Sequence, residues 1–437
     1  MSLETRLLES LAPWRGALAW CVGLSGGLDS TVLLHLLACL ARRETLPPLS
    51  AIHIHHGLQA VADDWPEHCR QFCESLGIPL HIERVEVAGG PSVERAAREA
   101  RYAAMARHLA SGECLITGQH RDDQAETVLF RLFRGAGVRG LAGIPPMRAL
   151  GHGLLLRPML AFSRAELEGY ARAQGLSWVE DPSNRDTEFD RNYLRQIVLP
   201  GVAARWPGAV ANLARSAAHL AEAEGLLAEL AELDLVAADR SSDHGGWGLP
   251  WLQLEALRQL SEPRQRNALR RWLTPWTSMP DSAHWAGWVA LRDAAGDAEP
   301  VWRLSGGELR RAQGRLWWLS GAWLQAPGAP PDWTDLYEPL RLPGNGRLRF
   351  IGIPPPGVLS VRYRRGGEVL DLPGRGRRDL KRLLNEAGVP AFLRGRLPLL
   401  FRSDELIGVA SLPGLRAMEG EPWSLLWEPP TNDSGLS

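Results

Sequence analysis

Two groups of residues in this chain have the types and spacing to do chemistry. The first is Ser25-Gly26-Gly27-Leu28-Asp29-Ser30, which lies between an apolar run and a helical pattern. Glycines without a Cβ let the backbone close tightly, so successive N–H groups can point at one anion. Ser30 and Thr31 open a helix whose positive end favours the same anion. The G-x-x-x-x-G-K-[ST] pattern of a Walker A loop is missing, and the only lysine of the chain is Lys381. A bare Ser-Gly-Gly is an ordinary capped turn, whereas SGGxDS after a buried strand is far more specific. The second group is Asp122, Asp123 and Glu126. Asp123 and Glu126, three apart on a helix, project from one face and could meet an ammonium group. The competing reading is an acidic first turn that complements the helix dipole. His120 beside them reads as a base, a base-stacking group or a structural histidine, the last being commoner. Cys69 and Cys73 with His68 lack a second ligand pair and read as buried thiols, so no metal-ligand set is singled out.

The elements that must position these residues alternate. Short apolar runs at 17–23, 50–55, 80–85 and 113–117 suggest strands. Helical patterns occupy 30–41, 63–76, 92–110 and 122–133, the third opening with Pro91, Ser92 as N-cap and Glu94 in its first turn. Such alternation predicts an α/β domain with a doubly wound parallel sheet, over residues 1–207. Beyond it, residues 208–237 read as an Ala/Leu-rich helix with an acidic face. A polar stretch at 241–248 interrupts the chain, and a helical, Trp-containing segment follows to about 293. A β-like piece at 301–319 holds Trp302, Trp317 and Trp318, which are better core residues than base-stacking platforms. Residues 208–325 are thus expected to form a mainly helical, substrate-binding domain. "APGAPPDW" at 326–333 looks like a linker, and 335–437 like a small α+β module.

With 437 residues and 45% hydrophobic content, the chain can bury two to three cores. Collagen, coiled coil and disorder are excluded by ordinary apolar content and aperiodic Gly and Pro. The net charge of −1 argues against a general polyanion binder, but it averages unlike regions. Residues 216–260 hold eight acidic and two basic side chains, whereas 361–402 hold eleven basic and four acidic. Within the latter, Arg375, Arg377, Arg378, Lys381 and Arg382 cluster where a Gly-rich turn enters a helix, suited to phosphate contacts. Of 49 cationic residues, 48 are arginine, a skew that the codon usage of a G+C-rich genome explains first, although arginine also suits bidentate phosphate contacts. No secretory or membrane-spanning pattern is evident. All five cysteines precede residue 115 without paired spacing, which points to a reducing cytoplasm rather than a disulfide framework.

SGGLDS resembles the pyrophosphate loop of the PP-loop ATPases, which split ATP between its α- and β-phosphates. Further segments choose within that superfamily: "IHIHHGLQ" (52–59), "ERAAREARY" (94–102), "TGQHRDDQAETVLFRLFRGAGVRGLAGIP" (117–145), "RPML" (157–160) and "WVEDPSNRDTEFDRNYLRQIVLP" (178–200). In this order and spacing they resemble tRNA(Ile)-lysidine synthetases. The tail "GGEVLDLPGRGRRDLKRLLNEAGVPAFLRGRLPLLF" is similar to the C-terminal domain of the longer members. The resemblance implies ATP-dependent ligation of free L-lysine to C2 of the wobble cytidine of tRNA(Ile) with a CAU anticodon, through an adenylylated cytidine. It implies ATP and Mg²⁺ as cofactors and a cytoplasmic enzyme without a membrane. It places Ser25, Gly26, Gly27, Leu28, Asp29, Ser30, His55 and Arg101 at the nucleotide, with Asp29 near phosphate and Mg²⁺. It assigns Asp123 and Glu126, and Arg191 for the carboxylate, to lysine. Catalysis would then rest on Asp29, Asp123 and Glu126, and tRNA would meet the basic C-terminal cluster. The sequence leaves the oligomeric state open, a homodimer included. The chain departs from the family pattern at Gln119, where TGHH is common, at His55, which replaces an Asn, and at Arg121. A PP-loop tRNA thiolation enzyme and a non-catalytic RNA-binding protein are the alternatives; paired CxxC cysteines would favour the first, and the intact loop disfavours the second.

Overall fold

Trp20, Cys21 and Val22 are all buried, and their alternate side chains feed opposite cores, which is why a central sheet forms. The computed structural model describes residues 1–55, 57, 63–87, 93–239, 247–278, 284–295, 298–417 and 423–432. Two compact units result, Met1–Leu226 and Leu227–Ser437. In the first, α1 (Leu3–Leu11), β1 (Trp20–Gly23), α2 (Leu28–Ala41), β2 (Leu49–His55), α3 (Trp65–Leu76) and β3 (Leu80–Arg84) come first. Then follow α4 (Val93–His108), β4 (Cys114–Ile116), α5 (Arg121–Leu132), α6 (Val138–Leu141), β5 (Met147–Leu150), β6 (Gly153–Leu156) and α7 (Arg164–Ala173). The strand order is β3-β2-β1-β4-β6-β5, parallel except for the β5–β6 hairpin. Trp20 and Val22 join Leu33, Leu37 and Phe162 on one face. Cys21 joins Ile52, Ala104, Met105 and Leu155 on the other. The doubly wound sheet expected from alternation is what forms; the antiparallel edge was not foreseen. Strand order reverses between β1 and β4, so their carboxyl ends open a crevice of the kind where α/β proteins bind ligands.

After α7 come α8 (Asp190–Tyr193), a π-type turn at Leu194–Val198, α9 (Leu199–Arg205) and the long α10 (Ala209–Ala238). Ser92, the expected N-cap of α4, lies outside the described residues.

The second unit pairs β7 (Trp251–Gln253), α11 (Leu254–Arg258), α12 (Glu262–Leu273) and α13 (Trp285–Asp293) with β8 (Val301–Leu304), β9 (Gly307–Ala312) and β10 (Arg315–Leu319). Its first sheet has the order β7-β10-β9-β8. Trp302, Trp317 and Trp318 are all buried in it, as core residues. Small sheets follow: β11 (Leu340–Arg341) with β12 (Arg347–Gly352), then β13 (Leu359–Arg362), and the hairpin β14 (Val369–Leu372)–β15 (Gly376–Asp379). The chain continues through α14 (Leu380–Glu386), α15 (Ala391–Arg394), β16 (Leu399–Arg402), β17 (Glu405–Val409) and β18 (Trp423–Glu428). One apolar cluster runs from Trp251 and Trp317 through Trp323 to Leu348, Leu384 and Trp427. The segment read as a linker is irregular but anchored: Trp333 is buried and stacks on Phe350 at 4.8 Å between ring centroids.

Candidate active site

The SGGLDS loop leaves the end of β1 and caps α2. Gly27 is the N-cap, and Ser30 Oγ accepts a hydrogen bond from the Ser25 amide at 3.2 Å while donating to Gly27 O at 3.1 Å. Gly26 adopts φ +84°, which favours glycine, and a Cβ there would lie 3.2 Å from Cys69 Sγ. Cys69 and Cys73 are thus packing thiols under the loop, their pKa values pushed by burial to about 12 and about 11. The Gly26 carbonyl accepts from the Val179 amide at 2.9 Å, which ties the loop to the segment before α8. From the neighbouring strand end, Gly118 passes so close to α2 that a Cβ would sit 3.0 Å from the Asp29 carbonyl. A glycine is needed there, and the approach brings the first turns of α2 and α5 face to face.

Ser25, Gly27, Asp29, Ser30, Arg101 and Asp123 line one cavity of about 340 Å³, together with His53, Trp65, Tyr102 and Met105. Next to the cavity-lining Asp29 and Asp123, His120 is 1% exposed and caps α5: its Nδ1 accepts from the Asp122 amide at 3.2 Å, and its own amide donates to Asp123 Oδ2 at 3.0 Å. In the neutral ring the proton therefore sits on Nε2, which lies 3.5 Å from Asp29 and 3.6 Å from Asp123. Burial opposes the imidazolium, yet the Asp29, Asp123 and Asp122 carboxylates raise the His120 pKa above its ordinary value. Burial would likewise raise Asp29, but His120, Arg164 and Arg195 outweigh it and hold the carboxyl below the usual range.

Glu126 is 3% exposed and is gripped by Arg195, whose Nε and Nη2 donate to its two oxygens at 2.6 and 2.9 Å. The same Nη2 reaches Asp123 Oδ1 at 3.3 Å. Burial is the largest influence on Glu126 and pushes its pKa up despite that arginine. Arg164, at the start of α7, stands 3.7 Å from Asp29 Oδ2, and its amide donates to Asp122 Oδ2 at 2.9 Å. Four carboxylates thus share two guanidinium groups and one imidazole. The surplus negative charge suits a cationic substrate or a metal bound beside phosphates.

Family models match in three places: a PP-loop domain at residues 1–202, a TilS substrate binding domain at 252–317 and a TilS substrate C-terminal domain at 359–427. The chain is 63% identical over 438 residues to a tRNA(Ile)-lysidine synthase of Pseudomonas aeruginosa, covering all of this chain and 99% of that protein. It is 60% identical to that of Pseudomonas fluorescens, with the same coverage, and 42% identical to that of Escherichia coli O157:H7, covering 91% and 93%. The chain belongs to the tRNA(Ile)-lysidine synthase family. As a member with a PP-loop domain it is an ATP-using ligase.

Not every expected residue stands where the family resemblance placed it. His55 is buried 3.2 Å from Asp63 Oδ1, while His53, two residues earlier on the same strand face, lines the cavity. Arg191 is exposed on α8 near the like-charged Arg131. The arginine of that segment that reaches Asp123 and Glu126 is Arg195, one helical turn later. The repeat of Arg at i and i+4 in "DRNYLR" was the available signal for Arg195. Arg164 carried no signal, because its partner Asp29 is 135 positions away.

In the C-terminal unit Arg375, Arg377, Arg378, Lys381 and Arg382 are all exposed, on the β14–β15 hairpin and the start of α14. Arg375 and Arg382 share Glu386 at 2.7 and 3.1 Å. Arg394 and Arg396, part of the same basic run, are structural. Arg394 donates to Val389 O, and the buried Arg396 donates to Asn345 Oδ1 at 3.0 Å and to Ala322 O at 2.5 Å.

Among the described residues no helix is long and apolar enough to cross a membrane.

Proposed function

We propose that this chain uses ATP to join free L-lysine to C2 of the wobble cytidine of tRNA(Ile) with a CAU anticodon, so that the anticodon reads AUA in place of AUG. One observation carries this reading: the glycine loop and Asp123 line a single cavity, with Glu126 bound to Asp123 through Arg195. Nucleotide activation and an ammonium-binding carboxylate pair therefore lie side by side.

In the first step, cytidine O2 attacks the α-phosphate of ATP and pyrophosphate leaves. The loop amides, the N-terminus of α2 and Arg164 are the groups that would hold the negative charge of the pyrophosphate. Arg101 is assigned to the nucleotide on its place in the cavity wall. Asp29 Oδ1 is buried without a hydrogen bond, which fits a ligand for Mg²⁺. When bound there, Mg²⁺ would neutralise phosphate charge. In the second step a lysine amine attacks C2 and AMP departs. The amine has a reference pKa of about 10.4 and must lose a proton first. Asp123 and Glu126 would bind the ammonium form, and Glu126, whose pKa burial pushes up, is the carboxylate assigned to accept its proton. Arg191 is assigned to the lysine carboxylate, with Arg131 as a second cation near it. The exposed Arg375, Arg377, Arg378, Lys381 and Arg382 would bind tRNA backbone remote from the chemistry. ATP, lysine and tRNA coexist in the cytoplasm, the compartment this function requires.

The test is incubation of the full chain with tRNA(Ile), ATP and labelled lysine. Label transfer with lysine-dependent AMP release is expected; no transfer overturns the proposal.

A further inference from the structure

We infer that Arg98 and Arg148, whose guanidinium groups both lie against the ring of Tyr102, form a docking patch for anticodon-loop phosphates at the rim of the catalytic cavity. The inference rests on the function proposed above and adds the part of the RNA that this face receives.

Tyr102 on α4 lines the cavity. Arg98, one turn earlier, and Arg148, on the β5–β6 hairpin, bring their guanidinium carbons to 5.2 and 4.8 Å from the centre of its ring. Arg157 supports the patch from below: it is buried, and its Nη1 donates to Pro145 O at 2.8 Å. Beside the cavity, Arg164 and Arg195 each face a carboxylate, Asp29 and Glu126 respectively. Arg98 and Arg148 do not. Both are exposed, and among the described residues neither has a carboxylate within ion-pair distance or donates a hydrogen bond.

Stacking on an aromatic face holds a guanidinium in place while its edge donors remain available. Two such groups beside one ring repel each other, and an anion bound by their free edges relieves that repulsion. Arg131 and Arg191 extend the same sign of charge. The phosphates of ATP already have the glycine loop. A cytidine that enters the cavity from a loop of RNA, however, brings its flanking phosphates to the rim, and bidentate guanidinium groups suit them.

The test uses the full chain and a fluorescent hairpin with the anticodon stem-loop sequence of tRNA(Ile), titrated by anisotropy at several KCl concentrations. Replacing both residues (R98Q with R148Q) should weaken hairpin binding by about tenfold or more at moderate salt. It should also reduce the slope of log affinity against log salt by about 0.7 for each phosphate that is no longer neutralised. KM for ATP and for lysine should not change, and Arg172→Gln, an exposed arginine of α7, should leave hairpin binding intact. Unchanged hairpin affinity and slope in the double variant overturns the inference. A raised KM for ATP with intact hairpin binding also overturns it and assigns the patch to the nucleotide. A wild-type chain that binds the hairpin through these arginines but transfers no lysine would instead overturn the proposed function and leave the patch standing.

Discussion

The surroundings of the cavity beside the glycine loop and the C-terminal basic hairpin both concentrate charge, but in opposite ways. Beside the cavity, His120 and Glu126 are almost wholly buried and Arg195 is held by two carboxylates, so these charges have fixed neighbours. On the hairpin, Arg377 and Arg378 stand in water on a strand with every residue exposed. Buried pairs interact strongly and lose much when one member is removed. Exposed charges act weakly, nearly independently, and are screened by salt. The first arrangement suits chemistry on one atom; the second suits holding a long polyanion.

That contrast can be broken experimentally. Asp29→Asn should have the largest effect, lowering lysine transfer by about 10³-fold, the scale of losing one preorganised electrostatic contact, here the carboxylate that would hold Mg²⁺ beside the reacting phosphate. Retention of more than a tenth of the rate would show that the cavity is not organised around Asp29. Glu126→Gln comes next. It removes a charge-assisted contact worth about 1.5–3 kcal/mol, so KM for lysine should rise roughly 10–100-fold while KM for ATP stays constant. An equal rise in both would deny the carboxylate pair its separate role.

Smaller still is the double change Arg377→Ala with Arg378→Ala. It should weaken tRNA binding several-fold, reduce the salt slope by about 0.9 per phosphate contact, and leave the rate at saturating tRNA intact. Loss of that rate would mean that the hairpin takes part in catalysis. The subtlest test is pH. His120 has a folded pKa above its ordinary 6.5, so its pairing stabilises the fold fully below that value and loses its contribution as pH rises through the folded pKa. The stability gap between wild type and His120→Gln, from urea unfolding, should therefore be widest in mild acid and narrow towards alkaline pH. A gap that widens with pH would reverse the assigned electrostatics.

The alternation of apolar runs and helical patterns made most of the first unit legible. The run read at 50–55 is β2, Leu49–His55, and the helix read at 122–133 is α5, Arg121–Leu132. Local periodicity carries that information because each element buries one face. The β5–β6 hairpin was invisible: Met147–Leu150 is mostly exposed, and an edge strand needs no apolar signature. Within the site, the glycine loop and the Asp123–Glu126 pair were legible because their arrangement is set by spacing within one turn. Arg164, Arg195 and His53 were not, since their roles depend on which distant side chain they face.

The amino-acid sequence alone determined the αβ alternation, the anion loop at the end of β1 and the acidic face of α5, all set by contacts between near neighbours. Only the tertiary structure decided which charges are paired. Reversal of strand order between β1 and β4 brings Gly118 against Asp29, and burial there makes each guanidinium choose a carboxylate. The same arginine type, so abundant along this chain, is thereby a fixed counter-ion at Arg195, a structural brace at Arg396 and a solvated charge at Arg377.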